Sequence, residues 1–154
     1  ACRIQVALRR NIMLENELHF LLLRAFHHCN RQIVQQVSGL SLLPGQPKIL
    51  EYLLTHEGCM AREIGGACVL DKSTVTSLLA RMEKQGLICR RPSLQDRRAS
   101  HIWLTDTGRQ TARKVSSICR QVDETALGKI SREDQERLTE LLQQIIKNLE
   151  EEFH

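Results

Sequence analysis

The chain has 154 residues and a formal net charge of +4, and hydrophobic residues make up 42% of it. This length suits one compact unit, and no stretch approaches the ~20 uninterrupted apolar residues of a membrane span. Only 3% of the residues are aromatic, so aliphatic side chains must form the core, which favours packed helices over a β-sandwich. The N-terminus lacks the pattern of a signal peptide, so we expect a cytoplasmic protein that does not enter a membrane.

Residues 11–37 are predicted to form one long helix. Its apolar residues recur at steps of three and four: Leu14, Leu18, Leu22, Ala25, Cys29 and Ile33. Further apolar residues lie outside that stripe: Phe20, Leu21, Leu23 and Phe26. Because a helix that is apolar on nearly all sides must be covered on more than one side, we expect it to lie between its own domain and a partner chain.

Two short helices are predicted after a break rich in glycine and proline. The break contains Gly39, Pro44, Gly45 and Pro47, and either proline can occupy the opening turn of a helix that runs to about Thr55. After a turn at residues 57–58, residues 61–70 should form a second short helix. Its inward-facing residues are expected to be Ile64, Ala67 and Cys68.

The best-defined helix follows, with Asp71 as a suitable N-cap and Gly86 as a suitable C-terminal stop. Four apolar residues at helical spacing predict its buried stripe: Val75, Leu78, Leu79 and Met82. The opposite face carries small, polar and basic residues: Ser73, Ser77, Ala80 and Lys84, flanked by Thr76 and Arg81. Such a face can approach another polar surface closely.

Two short strands, residues 87–91 and 100–105, are predicted to enclose a loop rich in arginine. Arg90 and Arg91 end the first strand, and Arg97 and Arg98 lie near the tip of the loop. A helix should then start at residue 106 or 107 and run to about Leu127.

The last helix should start at Ser131, which forms a start like a capping box with Asp134. Its apolar residues make a narrow stripe: Leu138, Leu141, Leu142, Ile145, Ile146, Leu149 and Phe153. A narrow apolar stripe on a terminal helix indicates a surface that docks against another helix.

Charge is distributed unevenly along the chain. Residues 61–98 include eight basic and four acidic residues, whereas residues 123–154 include four basic and nine acidic residues. A basic middle indicates a surface that meets a polyanion. The predicted elements follow the order of a winged helix-turn-helix: a short helix, a tight turn, a helix with a small polar face and a basic hairpin. That motif places a helix in the major groove of DNA and a hairpin near the minor groove.

The residues expected to contact DNA lie on the second helix of this motif and on the hairpin. They are Lys72, Ser73, Thr74, Thr76, Ser77, Arg81, Arg90, Arg91, Arg97 and Arg98. Short hydroxyl side chains can reach base edges or phosphates, and guanidinium groups suit the negative potential of a narrow minor groove.

Residues 71–108, DKSTVTSLLARMEKQGLICRRPSLQDRRASHIWLTDTG, resemble the recognition helix and wing of the MarR family of bacterial transcription regulators. The match rests on residues 73–76, the Gly86-Leu87 step, residues 96–98 and residues 104–108, and the order of helices extends it over nearly the whole chain. The resemblance implies a mainly α fold with a small β-hairpin wing. Residues 38–105 would form the winged helix-turn-helix domain, and residues 1–37 and 106–154 a helical dimerisation region.

The same resemblance implies a homodimer with a ligand site where the dimerisation region meets the winged domain. Asp96 would steady the wing through an arginine. Arg98, or alternatively Arg97, would enter the minor groove of double-stranded DNA. The operator would be a pseudo-palindrome, because a symmetric dimer presents two recognition helices.

Residues 14–24, LENELHFLLLR, are similar to the first-helix segment of the family's organic-hydroperoxide sensors, in which a reactive cysteine occupies the position of His19. The resemblance, and the mixed apolar and histidine character around His19, Phe26 and His27, point to a site for a small aromatic or carboxylate effector. The leading interpretation is therefore a ligand-responsive repressor. Redox control through cysteines is the alternative, although Cys29 lies in an apolar stripe, where a thiol is usually inert.

Other classes of function have less support. The six cysteines form no C-x-x-C pair, and the histidines have no acidic partner in a recognised metal set, so we expect neither a metal nor a cofactor. A cysteine hydrolase that uses Cys29 lacks a nucleophile elbow and paired acid and base residues, so we expect no enzyme. A winged-helix module that binds proteins instead of DNA remains the other alternative.

Overall fold

A computed structural model of the chain describes residues 13–152. Within this range six α-helices and one two-stranded antiparallel sheet follow one another. They are α1 (Leu18–Val37), α2 (Gln46–Leu53), α3 (Ala61–Cys68), α4 (Lys72–Lys84), β1 (Ile88–Pro92), β2 (Ser100–Leu104), α5 (Asp106–Leu127) and α6 (Arg132–Glu151). The expected fold class, mainly helical with a β-hairpin wing, is confirmed. The predictions made for residues 1–12 and for Phe153 lie outside the described residues.

The first helix begins later than predicted. Leu14–Asn16 form a 3-10 turn, and Glu17 is the N-cap of α1, with an extended backbone at φ −78° and ψ 136°. Because a 3-10 turn also places every third residue on one side, the apolar spacing continues through this break. The spacing alone therefore could not show where the α-helix starts.

Gly45 makes the turn that starts α2. Its φ of 90° suits glycine, and a Cβ there would lie 2.8 Å from Leu78 Cδ1 of α4. Pro47 occupies the opening turn of α2, which is one of the two positions expected. α2 ends at Leu53, short of the predicted Thr55, because the chain turns there towards α3.

α3 and α4 pack together as the helix-turn-helix pair. All four residues of the predicted α4 stripe are buried. In α3, Ile64 and Cys68 are buried as predicted, but Ala67 is exposed. α3 packs against the core through one narrow face, and Ile64 and Cys68 share that face because they are four residues apart. Ala67 is rotated from Cys68 by about 100° around the helix and so lies outside this face.

The base of the hairpin is part of the core. β1 and β2 pair from Ile88 opposite Leu104 to Pro92 opposite Ser100, within one residue of the predicted strand ends. The side chains of Ile88, Ile102 and Leu104 are buried. An isolated bridge between Cys59 and Ile102 adds a contact from the segment before α3. The hairpin is therefore anchored at its base, and its tip projects from the domain.

A tight junction joins the end of α4 to the start of α5. Thr105 Oγ1 donates a hydrogen bond to the Gly86 carbonyl oxygen at 2.5 Å and accepts one from the Gly108 N–H at 3.0 Å. A Cβ on Gly108 would lie 1.8 Å from the Leu87 carbonyl oxygen. Only glycine fits at this position, because the backbone that follows α4 lies directly against α5.

α1 and α6 leave large apolar side chains uncovered. Val37 is the one buried residue of α1, and α6 has none. The exposed apolar residues are Leu18, Leu21, Leu22, Leu23, Phe26 and Val34 on α1, and Leu138, Leu141, Ile146 and Leu149 on α6. No helix within residues 13–152 is both long and apolar enough to cross a membrane.

Replacing Gly108 by alanine should lower the free energy of unfolding by about 1–3 kcal/mol, because the new Cβ must displace the Leu87 carbonyl group. Gly66→Ala is the matched control, since nothing lies within 4 Å of the place where its Cβ would stand. Alanine in a helix is favoured over glycine by about 1 kcal/mol, so this control should be at least as stable as the wild type. Urea unfolding followed by circular dichroism measures both variants. A Gly108→Ala protein as stable as the wild type would contradict the close packing of the junction.

Candidate nucleic-acid interface and effector cleft

The solvent face of α4 carries half of the residues that were expected to contact DNA. Its exposed residues from that set are Lys72, Ser73, Thr76, Ser77 and Arg81. These side chains are short or flexible, and the buried stripe on the other side fixes the helix to the domain. α4 therefore presents a polar face that can enter a groove without first leaving the core.

Asp71 organises the first turn of α4. Its carboxylate accepts hydrogen bonds from the Thr74 N–H at 2.9 Å, from Ser73 Oγ at 2.7 Å and from Thr74 Oγ1 at 2.6 Å. The bonds from Thr74 and Ser73 hold the pKa of Asp71 well below its ordinary value, so the cap stays ionised at neutral pH. Since both hydroxyl protons are used, Ser73 and Thr74 keep only lone pairs for other partners. Thr74 is also half-buried.

The arginines of the wing fall into two groups. Arg90 Nε donates to Glu83 Oε2 of α4 at 3.1 Å, and the Arg91 guanidinium lies over the Trp103 ring at 4.8 Å from its centroid. These two contacts hold the base of the hairpin. Arg97 and Arg98 are exposed at the tip. The tip arginines are thus the pair that extends furthest from the packed part of the wing.

Short-range hydrogen bonds close the tip of the wing. Asp96 Oδ1 accepts the Arg98 N–H at 2.9 Å, and Ser93 Oγ accepts the N–H groups of Gln95 and Asp96 at 3.2 and 3.3 Å. Asp96 therefore contacts an arginine of the wing through the main-chain N–H of Arg98. A carboxylate two residues before Arg98 reaches its N–H more directly than its flexible guanidinium. Asp96 shapes the turn and leaves the Arg98 side chain free of this contact.

Sequence reasoning did not include Arg62 among the site residues. Arg62 is exposed on α3 and lines a groove of about 280 Å³ between α3 and α4, together with Lys72 and Thr76. The signal was present in the count of basic residues, but only the packing of α3 on α4 brings Arg62 beside Lys72. The first helix of such a motif crosses the DNA backbone, where a second cation can meet a phosphate.

A cleft of about 570 Å³ lies between α1 and the winged region. Its walls are mainly apolar and come from α1, the segment before α2, α2 itself, the turn before α4, and α5. They include Phe26, Cys29, Ile33, Val34, Leu42, Leu43, Leu70 and Cys119. Thr74 of α4 also lines the cleft. An occupant would therefore touch both the long first helix and the first turn of α4.

Of the three residues expected around an effector, only Phe26 lines this cleft. His27 lies on a separate shallow depression with Arg31 and Val34, and His19 is exposed nearly two turns before Phe26. Adjacent residues of a helix point about 100° apart, and here Phe26 lines the cleft while His27 lines the separate depression. The cleft extends instead towards the C-terminal half of α1.

α2 contributes opposite charges to the cleft, through Lys48 and Glu51. Lys48 is exposed, whereas Glu51 is half-buried, and its burial raises the pKa of the Glu51 carboxyl above its ordinary value. Burial and the nearby Glu51 carboxyl group raise the pKa of the Cys119 thiol to about 11. The cleft can thus hold an apolar molecule, and Lys48 offers a positive charge at its rim.

Burial keeps three of the thiols protonated. Burial raises the pKa of Cys59 and of Cys68, and that of Cys119 is raised as well, so these thiols hold their protons at neutral pH. Five cysteines of the described part of the chain are free. Residues 13–152 also contain no cluster of three or more histidine, cysteine or acidic side chains that could hold a metal ion.

Known proteins resemble this chain in both sequence and structure. A sequence model of the MarR family matches residues 42–100. The chain is 32% identical over 139 residues to the organic hydroperoxide resistance transcriptional regulator of Bacillus subtilis, covering 90% of this chain and 93% of that protein. It is 30% identical over 129 residues to the transcriptional regulator HosA of Escherichia coli, covering 80% of this chain and 95% of HosA.

One of the similar solved structures is a complex with DNA. The crystal structure of the S. aureus MepR–DNA complex matches this chain with a TM-score of 0.77 and 25% identity, over 86% of this chain and 98% of the MepR chain. The matching proteins are transcription regulators and not enzymes. On the identity and coverage of these relatives, the chain belongs to the MarR family of DNA-binding transcription regulators.

Proposed function

We propose that the protein is a dimeric repressor that binds a pseudo-palindromic operator in the cytoplasm and responds to a small effector. One observation carries the proposal: an exposed polar face on α4 is followed by a wing whose tip carries Arg97 and Arg98. Residues 38–105 are the DNA-binding domain in this proposal. Residues 1–37 and 106–154 form the dimerisation region.

α4 enters the major groove and the wing follows the adjacent minor groove. Ser73, Thr76 and Ser77 are on the solvent face of α4, where short hydroxyl groups can contact base edges. Lys72 and Arg81 flank them and suit phosphates. Arg98 enters the minor groove, with Arg97 beside it, and Arg62 of α3 adds a phosphate contact.

A second copy of the chain covers the apolar faces of α1 and α6. Leu22 of α1 and Leu141 of α6 are 37% and 45% exposed, which is unusual for leucines at helical spacing within apolar stripes. Exposed apolar helix faces of this kind mark an interface, and a two-fold dimer is the commonest way to cover them. The dimer also fixes the distance between two α4 helices, which explains a palindromic operator.

The effector is an apolar, aromatic compound with a carboxylate or phenolic group. The apolar walls around Phe26 and Leu42 suit a ring, and Lys48 at the rim offers a partner for an anion. Binding lowers operator affinity if the occupied cleft favours a different placement of α4, since a ligand shifts an equilibrium only by its differential affinity for the two states.

Redox control has less support than effector binding. The raised pKa values of Cys59, Cys68 and Cys119 disfavour the thiolates that oxidation requires. His19 occupies the position of the sensing cysteine in the resembled sensors. An electrophoretic shift that persists after peroxide treatment would agree with this ranking.

Neutralising the wing tip should weaken DNA binding at all sequences alike. Arg98→Ala should make the slope of log affinity against log salt shallower by about one unit per subunit, because one phosphate-region cation is lost. Ser77→Ala should instead relax preference at particular base pairs, costing about 1–3 kcal/mol where a base contact is lost. Titrations at graded salt against an operator recovered by in vitro selection measure both effects. Glu150→Gln on α6 is the control, and the wing assignment fails if the control alone alters binding.

Charging the proposed dimer interface should produce monomers. Leu141→Asp should sediment as a monomer at micromolar concentration, because a carboxylate cannot be covered by an apolar partner surface. Leu94→Asp is the matched control, since Leu94 is fully exposed on the wing, and this variant should remain dimeric. A wild-type protein that sediments as a stable, folded monomer would refute the dimer.

Removing the positive charge of Lys48 should weaken the binding of negatively charged effectors and leave the binding of neutral ones unchanged. Lys48→Gln should weaken the binding of benzoate about threefold to fivefold, the size of one partly exposed ion pair. Benzamide, which has the same shape without the charge, should bind both proteins alike. Calorimetry with the two compounds measures the difference. If no aromatic carboxylate or phenol in a broad panel binds, the effector proposal is wrong.

A further inference from the structure

Gln46 is the one fully buried polar residue within residues 13–152, with an exposed fraction of 0%. It is the first residue of α2 and follows the segment Leu42–Gly45, whose residues line the effector cleft. A buried amide requires hydrogen-bond partners for both its oxygen and its nitrogen. These partners identify which parts of the molecule Gln46 joins.

The two ends of the Gln46 amide bind two different elements. Oε1 accepts the Leu43 N–H at 3.0 Å, and Nε2 donates to Gln85 Oε1 at 2.8 Å. Because a main-chain N–H can only donate, the amide oxygen must face Leu43, and this fixes the orientation of the group. The Gln46 N–H also donates to the Leu43 carbonyl oxygen at 3.1 Å. Two hydrogen bonds therefore close residues 43–46 into a turn.

Gln85 is the C-cap of α4. The next residue, Gly86, is bound to Thr105 at the start of α5. The Gln46–Gln85 bond thus meets α4 beside the point where it is tied to α5. α4 has 13 residues and is about 20 Å long, so a small rotation at this end moves the residues of its first turn through a larger distance.

We propose that the Gln46–Gln85 amide pair is the link through which occupancy of the cleft reaches the recognition helix α4. This inference rests on the proposed effector cleft and states how that cleft acts. An occupant that displaces the wall at Leu43 and Pro44 carries Gln46 with it. Gln46 must then either pull Gln85 or lose a hydrogen bond in a buried place, which is unfavourable. Apolar contacts of the same segment, such as Gly45 against Leu78, can slide without such a loss.

The test compares the effect of cleft occupancy in variants of Gln85, which is exposed and so can be changed without opening the core. Gln85→Met removes the acceptor for Gln46 Nε2, Gln85→Ser is too short to reach it, and Gln85→Glu keeps it. Gln110→Met, at another exposed glutamine, is the matched control. The probe is 8-anilinonaphthalene-1-sulfonate, and protection of Cys29 from iodoacetamide, read by mass spectrometry, shows that the probe occupies the cleft.

The readout is the ratio of operator affinities without and with the saturating probe, which a purely structural role would leave unchanged. Wild type, Gln85→Glu and Gln110→Met should show the same ratio, at least about fivefold, which is the lower end of typical allosteric coupling. Gln85→Met and Gln85→Ser should bind the probe normally but show a ratio below about twofold. Operator binding should weaken probe binding by the same ratio in each protein, as linkage requires.

Two other outcomes overturn different statements. If all five proteins share the wild-type ratio, the Gln46–Gln85 link is wrong while the effector cleft stands. If the probe fails to protect Cys29, or leaves the operator affinity of the wild type unchanged, the effector cleft itself fails and the link fails with it.

Discussion

Thr105 holds together the parts of this molecule that must be positioned relative to one another. Its hydroxyl donates to the carbonyl of Gly86, just after α4, and accepts from the N–H of Gly108 in the first turn of α5. One side chain thus caps α5 and fixes the end of the recognition helix. Gly108 permits this because a Cβ there would collide with the Leu87 carbonyl. The placement of α4 is consequently tied to α5, the helix on which α1 and α2 pack.

The charges on the winged region are arranged around this fixed helix. Asp71 accepts the Thr74 N–H at the start of α4 and stays ionised because the hydroxyl groups of Ser73 and Thr74 also donate to it. Arg90 and Arg91 are held by Glu83 and Trp103 at the base of the wing. Arginines near the fold are therefore engaged with protein, and those at the tip remain exposed. This division gives the wing a rigid base and a cationic end.

The sequence was sufficient to predict the features that depend on residues close together in the chain. The Asp71 cap, the α4 stripe and the stop at Gly86 follow from spacing and capping rules, and the structure has all three. The start of α1 could not be predicted, because the apolar spacing continues through the turn at Leu14–Asn16. Ala67 was placed inside by periodicity, but only tertiary packing decides how wide the buried face of a short helix is.

The cleft shows the same limit at the level of function. The resemblance and the mixed apolar and histidine character predicted an effector site near His19, Phe26 and His27. The direction of a helical side chain, however, depends on how the helix is rotated relative to the neighbouring elements. Of these three residues, only Phe26 lines the cleft. Gln46 gave no sequence signal at all, since a glutamine after Gly45 reads as an ordinary surface residue at the start of a helix. Its burial appears only when α2 and α4 are packed together. The structure adds most to the sequence at Gln46, because its amide is buried between a cavity wall and the recognition helix and binds a residue that is distant in the chain.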